Sequence, residues 1–182
     1  MSGFEIKNLA NPLYFEENVL PPHSDHKYYG SEAELASGCS SFKYSLNGLW
    51  HIHVARNLAE RPEGFEGSDY DCRHWDTIAV PAHIQMEGYG KPHYTNTTYP
   101  WDGHEAIAPG ELPQENTVAS YVKYFAVPEG WQDVRISFQG AETALAVWLN
   151  GHFVGYSEDS FTPSDFDLTP YVQAGENKLA VQ

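Results

Sequence analysis

Apolar and polar residues alternate along most of the last two-thirds of the chain, with a period of two rather than 3.6. Over 46–54 (LNGLWHIHV), Trp50, Ile52 and Val54 share one face while His51 and His53 share the other. Residues 77–80 read as a short apolar strand, and 120–127 as a longer one stopped by Pro128. In 134–138 the residues Val134, Ile136 and Phe138 point inward, and Leu145, Val147 and Leu149 continue the pattern up to Asn150-Gly151. That dipeptide is the strongest short-range hairpin signal, and 153–156 is the returning strand. Residues 166–168 give a short edge, and Ala174-Gly175-Glu176-Asn177 is a turn into a last strand at 178–181. No long amphipathic helix and no strand–helix–strand alternation occur. Seven or eight short strands of this kind predict an all-β, antiparallel jelly-roll sandwich.

Two stretches escape the alternation. Residues 1–40, containing NPLYFEENVLPPHSDHKYYG, read as an irregular N-terminal arm that keeps its shape by lying on another surface, with a short helix over 31–36. The domain proper is then 41–182. The segment from Pro81 to about Asn116 is rich in proline and glycine, yet carries Ile84, Met86, Tyr89, Tyr94, Tyr99 and Trp101. Disordered linkers avoid such residues, so an ordered surface loop is predicted, and long ordered loops often carry function. The final strand meets Gln182 without a turn or cap, which predicts a segment of a longer sandwich.

Charge narrows the partners. Ten Lys+Arg face 25 Asp+Glu, a formal net charge of −15. Nucleic acid and anionic membrane surfaces need a cationic footprint, so neither is expected. An aromatic content of 14%, with 12 Tyr and 5 Trp, supplies rigid stacking surfaces instead. Cys39 and Cys72 form no metal-type cluster, and two thiols in a chain of this length suit a reducing compartment. The N-terminal residues lack a signal-peptide pattern, so a cytoplasmic location is expected.

Candidate chemistry is sparse. His23-Ser24-Asp25-His26 could offer imidazoles and a carboxylate to a metal, but reads more simply as a polar turn. His51 and His53 could chelate from one strand face, but more simply form a polar face. Glu158/Asp159 and Asp165/Asp167 lie in turn-rich sequence and form no catalytic dyad. The stretch from Tyr94 to His104 differs, because Tyr94, Asn96, Tyr99, Trp101, Asp102 and His104 combine stacking rings with sugar-type hydrogen-bonding groups. Composition leaves a carbohydrate contact, a protein interface and a structural corner open. Asn96-Thr97-Thr98 also fits the N-glycosylation pattern, which the absence of a signal peptide argues against.

Several runs together resemble the N-terminal region of family 2 glycoside hydrolases, within the branch of large bacterial β-galactosidases. They are SLNGLW from Ser45, VPAHIQMEGY from Val80, PHYTNTTYP from Pro92, FQGA from Phe138, WLNG from Trp148, VGY from Val154, FDL from Phe166 and AGEN from Ala174. The resemblance runs from about residue 11 to the last residue. It implies a jelly-roll sugar-binding domain behind an arm that buttresses subunit contacts, in a homo-oligomer or heteromer. It also implies hydrolysis of terminal β-D-galactosides such as lactose with retention, by two glutamates on a barrel outside this segment. The segment itself is expected to be inactive, with no catalytic residue. Asn96 matches the family's loop asparagine that reaches the bound galactose, and Tyr94 shapes the same loop. Magnesium and sodium or potassium are implied for an intact enzyme. At the family's arm magnesium site the asparagine matches Asn11, but Asn8 stands where an acid is expected, and a further acidic ligand falls beyond Gln182. No metal is therefore assigned to this segment. A stand-alone carbohydrate-binding module and a purely structural domain are the competing readings.

Overall fold

The computed structural model describes residues 3–24, 26–92 and 95–182. Among them nine strands form: β1 (Glu16–Glu17), β2 (Gly48–Ala55), β3 (Asp76–Val80), β4 (Val118–Ala126), β5 (Arg135–Phe138), β6 (Leu145–Leu149), β7 (His152–Ser157), β8 (Ser164–Asp167) and β9 (Glu176–Val181). The one α-helix, α1 (Glu32–Ser37), falls where the arm predicted it. Ser31 caps it by accepting the Glu34 N–H, and Gly38 ends it in the left-handed conformation. No described helix is long and apolar enough to cross a membrane.

All ladders are antiparallel. Seven strands make one sheet in the order β1-β7-β6-β9-β4-β2-β3, and β5 pairs with β8 in a two-stranded ribbon. The sandwich is therefore unequal. Between sheet and ribbon lies the main core, with Trp50, Ile52, Val147, Leu149, Leu179 and Val181 from the sheet against Ile136 and Phe166 from the ribbon. Each such side chain, fully buried, contributes about 1.5–3 kcal/mol.

The far face of the sheet is also covered. Ala146, Trp148, Tyr156, Val122 and Ala180 meet Phe65 and Cys72 from the 56–75 connection and Phe4, Leu9 and Tyr14 from the arm. This second layer explains why β6 (LAVWL) is buried at all five positions. Its even residues face the arm side and its odd residues the ribbon. Phe4 and Tyr14 both stack on Tyr156, at 5.0 Å and 5.3 Å between ring centroids. β1 then adds to the β7 edge, Glu17 opposite Tyr156.

The β6–β7 hairpin turns as its sequence requires. Asn150 and Gly151 have φ of 51° and 83°, the left-handed pair of a type I′ turn. Asn150 then bonds Asn177: its amide donates to Asn177 Oδ1 at 2.9 Å and its oxygen accepts the Lys178 N–H at 2.9 Å. Two motifs that are distant in sequence thus form a single polar joint at one end of the sheet.

Candidate functional site

The connection between β3 and β4 is the long loop of residues 81–117, described except at 93 and 94. It is rooted at its start by a 3-10 turn over Ile84–Glu87, where Ile84 and Tyr89 pack against the main core. Asn96 lies in a bend beyond this root, exposed to solvent, and its side chain has no partner among the described residues. Tyr94, the other loop residue singled out above, lies outside the described residues. Past Asn96 the loop is knotted by local bonds. The rings of Tyr99 and Trp101 stack in parallel, 4.9 Å apart and 5° from coplanar. Asp102 Oδ2 accepts the Tyr99 N–H at 2.9 Å, and the Trp101 carbonyl accepts the His104 and Glu105 N–H groups at 2.9 and 3.0 Å. Glu105 in turn accepts the N–H groups of Gln114 at 2.6 Å and Glu115 at 2.9 Å. Those backbone bonds hold its carboxyl below the usual carboxylate range.

The loop's return also borders the arm. Ile6, Lys7, Ala10, Glu111, Leu112 and Gln114 are among the residues around an open groove of about 470 Å³. A larger open groove, about 630 Å³, lies instead at the β6–β7 turn, between Asn150-Gly151-His152 and the segment from Gly64 to Tyr70. It contains no described residue of the 81–117 loop. Neither groove includes Asn96, which is exposed.

Asp25 of the His23-Ser24-Asp25-His26 turn lies outside the described residues, and most of the other candidates are tied into structure. Glu158 accepts the Tyr156 hydroxyl at 2.6 Å. Asp159 accepts the Phe161 and Thr162 N–H groups and the Thr162 hydroxyl, and Asp167 accepts the Thr169 N–H at 2.9 Å. The Thr162 hydroxyl beside Asp159 and the Thr169 side chain and N–H beside Asp167 pull both carboxyls below their ordinary values, opposite to what a general acid needs. Asp165 pairs with His23 Nε2 at 2.6 Å and so ties the arm to β8. His51 and His53 share the outer face of β2, as their spacing predicts, edging Tyr124 and Trp75. Their Nδ1 atoms are buried without a partner. Asn11 Oδ1 accepts the Leu13 N–H at 3.1 Å, and among the described residues no three His, Cys, Asp or Glu side chains gather around a common point. Among the described residues Asn11 is thus without the carboxylate cluster that commonly holds a magnesium ion.

Two features had no signal in the sequence. One is the Tyr99–Trp101 stack. The other is Lys178, 5% exposed, whose ammonium donates to the carbonyls of Phe65, Gly67 and Tyr70 at 2.6, 2.7 and 2.6 Å.

Comparison with known proteins bears on this loop-bearing sandwich. The family described as "Glycosyl hydrolases family 2, sugar binding domain" matches residues 43–182. A β-galactosidase of Halalkalibacterium halodurans is 55% identical over 172 residues, covering 92% of this chain and 17% of that protein. A β-galactosidase large subunit of Leuconostoc lactis is 49% identical over 189 residues, covering 96% of this chain and 30% of that protein. Among solved structures, a β-glycosidase from Bacteroides vulgatus superposes with a TM-score of 0.54 at 28% identity, over 75% of this chain and 16% of that one. The chain thus spans less than a third of the length of these curated relatives.

Proposed function

The chain belongs to the glycosyl hydrolases of family 2, as their sugar-binding domain, and from that membership we propose that it is the N-terminal part of a β-galactosidase. The intact enzyme hydrolyses terminal non-reducing β-D-galactosides, lactose among them, with retention. The observation that carries this reading is the 55% identity to a relative named β-galactosidase, sustained over 92% of the chain.

Within that enzyme the 81–117 loop presents Asn96 to the galactose. A carboxamide offers one acceptor and two donors, which matches a pair of neighbouring sugar hydroxyls. Asn96 is exposed and has no hydrogen-bond partner among the described residues, which suits it to a substrate held by another domain. Retaining hydrolysis needs two carboxylates about 5 Å apart across the bond. The acidic pairs of this chain serve turns, a tyrosine and a histidine, so the reacting pair comes from outside it. The same holds for the magnesium and alkali-metal ions implied for the intact enzyme. The exposed arm serves assembly, with further copies or a second subunit, in the cytoplasm.

The test compares the full-length enzyme with the isolated 182-residue chain. The enzyme should cleave a chromogenic β-galactoside and release galactose first as the β-anomer by NMR. The isolated chain should neither turn it over nor bind galactosides measurably by calorimetry, because one exposed amide is too small a site. Turnover by the isolated chain, or an α-anomer as first product, would overturn the reading. Binding without turnover would make the chain a stand-alone module instead.

A further inference from the structure

Asn96 stands three residues before the aromatic knot of its loop. Three residues of extended chain span roughly 10 Å, so an amide on a free tether of that length sweeps a space far larger than a hydrogen bond tolerates. Something close by must fix it. Upstream, the nearest core-packed anchor among the described residues is Tyr89. Downstream, the first is the parallel stack of Tyr99 and Trp101. Pro100 between the two rings fixes its own φ, which narrows the path from one ring to the other.

The stack does not exist to fill a core, since Tyr99 is 65% exposed. It closes a turn instead. The Asp102 carboxylate receives the Tyr99 N–H, and the Asp102 N–H returns to the Tyr99 carbonyl at 3.0 Å. Trp101 sits at the centre of this knot, because its ring covers Tyr99 while its carbonyl takes the His104 and Glu105 N–H groups. Glu105 then fastens the returning limb at Gln114 and Glu115. Among the described residues Trp101 thus links the Asn96 end of the loop to its anchored return, by its ring on Tyr99 and its carbonyl under His104 and Glu105, beside the Asp102 carboxylate that also holds Tyr99.

We propose that Trp101 is a positioning residue for galactoside hydrolysis, acting through its stack on Tyr99 to set where the loop holds the Asn96 amide. The proposal rests on Asn96 being the galactose contact. Trp101 touches no substrate atom in this role, so its influence is independent of the leaving group.

The experiment is a double-mutant cycle in the full-length enzyme with Trp101→Ala, Asn96→Ala and both together, plus Trp101→Phe. Lactose and a chromogenic galactoside serve as substrates. Trp101→Ala should lower kcat/KM about 10-fold for both, since small misplacements of a positioned group are costly. Trp101→Phe, which keeps a stacking ring, should restore most of it. In the Asn96→Ala background the Trp101→Ala effect should shrink to within about twofold, the non-additivity expected of coupled residues. The melting temperature should move little, because the Tyr99–Trp101 stack belongs to neither core cluster. Additive losses, a loss confined to one leaving group, or failure of Phe to rescue would each overturn the proposal. An impaired Asn96→Ala beside a neutral Trp101→Ala overturns it alone. A neutral Asn96→Ala overturns the galactose contact first and this proposal with it.

Discussion

Replacing Lys178 by Met puts opposing effects of similar size in direct competition. The side chain is 5% exposed and its ammonium donates to three carbonyls, of Phe65, Gly67 and Tyr70, each within 2.7 Å. Hydrogen bonds from a charged donor contribute about 1.5–3 kcal/mol each, so the three supply about 4.5–9 kcal/mol gross. Against this stands the desolvation of an ammonium, several kcal/mol. Burial depresses the Lys178 pKa, which is the signature of that penalty. Methionine removes both terms but leaves three acceptors without a donor. The bond to Phe65 is fully buried and those to Gly67 and Tyr70 partly so. A full penalty for the first and a partial one for the others comes to about 3 kcal/mol. At about 2–4 °C per kcal/mol for a chain of this size, the melting temperature should fall by about 6–12 °C. Thermal melting by circular dichroism reads this, and hydrogen exchange should show the 64–72 segment losing protection first. An unchanged or higher melting temperature would mean that desolvation outweighs the three bonds, and the reasoning would be wrong.

Two further outcomes are expected. At Gly155 a Cβ would lie 2.4 Å from Phe166 Cδ1 and Cε1 and 2.7 Å from the Glu17 carbonyl oxygen, so Gly155→Ala cannot fit without moving the ribbon or the arm. It should cost about 1–3 kcal/mol and expose the arm to limited proteolysis, and an intact, equally stable variant would contradict the packing described. Alkaline pH should loosen the same region. Burial first, then Glu17, pushes the Tyr14 hydroxyl from 10.0 up to about 12. A group whose folded pKa is raised gives stability that is complete below its unfolded pKa. That stability should decline as pH rises from about 10 to about 12. Tyr14→Phe should flatten this decline in denaturant midpoints, and parallel curves for parent and variant would refute the assignment.

The strands were legible where their partners lie close in sequence or their faces differ. The β6–β7 hairpin followed from Leu145, Val147 and Leu149 with Asn150-Gly151, because both period and turn chemistry are local. The pairing of β2 with β4 puts His51 and His53 on the face away from Trp50 and Ile52, as alternation required. β1 left no trace: it is Glu16–Glu17, a pair of poor strand formers held only by β7, some 140 residues away. The second core layer was equally hidden, since an arm of irregular sequence gives no period to read even when its Phe4 and Tyr14 cover Tyr156. Lys178 looked like an ordinary polar position in a strand, because three carbonyls from another loop cannot be inferred from one charged residue. In the loop, composition placed rings beside amides but could not choose Asn96; only the family resemblance singled it out. The stack of Tyr99 on Trp101 depends on a turn geometry that the sequence leaves open.

The central claim is that this sandwich lends one side chain, Asn96, to galactoside hydrolysis performed with other domains. Steady-state kinetics of Asn96→Ala in the full-length enzyme test it most directly. The side chain is exposed and has no partner among the described residues, so the melting temperature should stay put. Loss of its hydrogen bonds to a sugar should lower kcat/KM about 5- to 30-fold, or about 1–2 kcal/mol of transition-state stabilisation. A kcat/KM within about twofold of the parent enzyme, at unchanged stability, would contradict the claim and leave the domain a purely structural part of the enzyme.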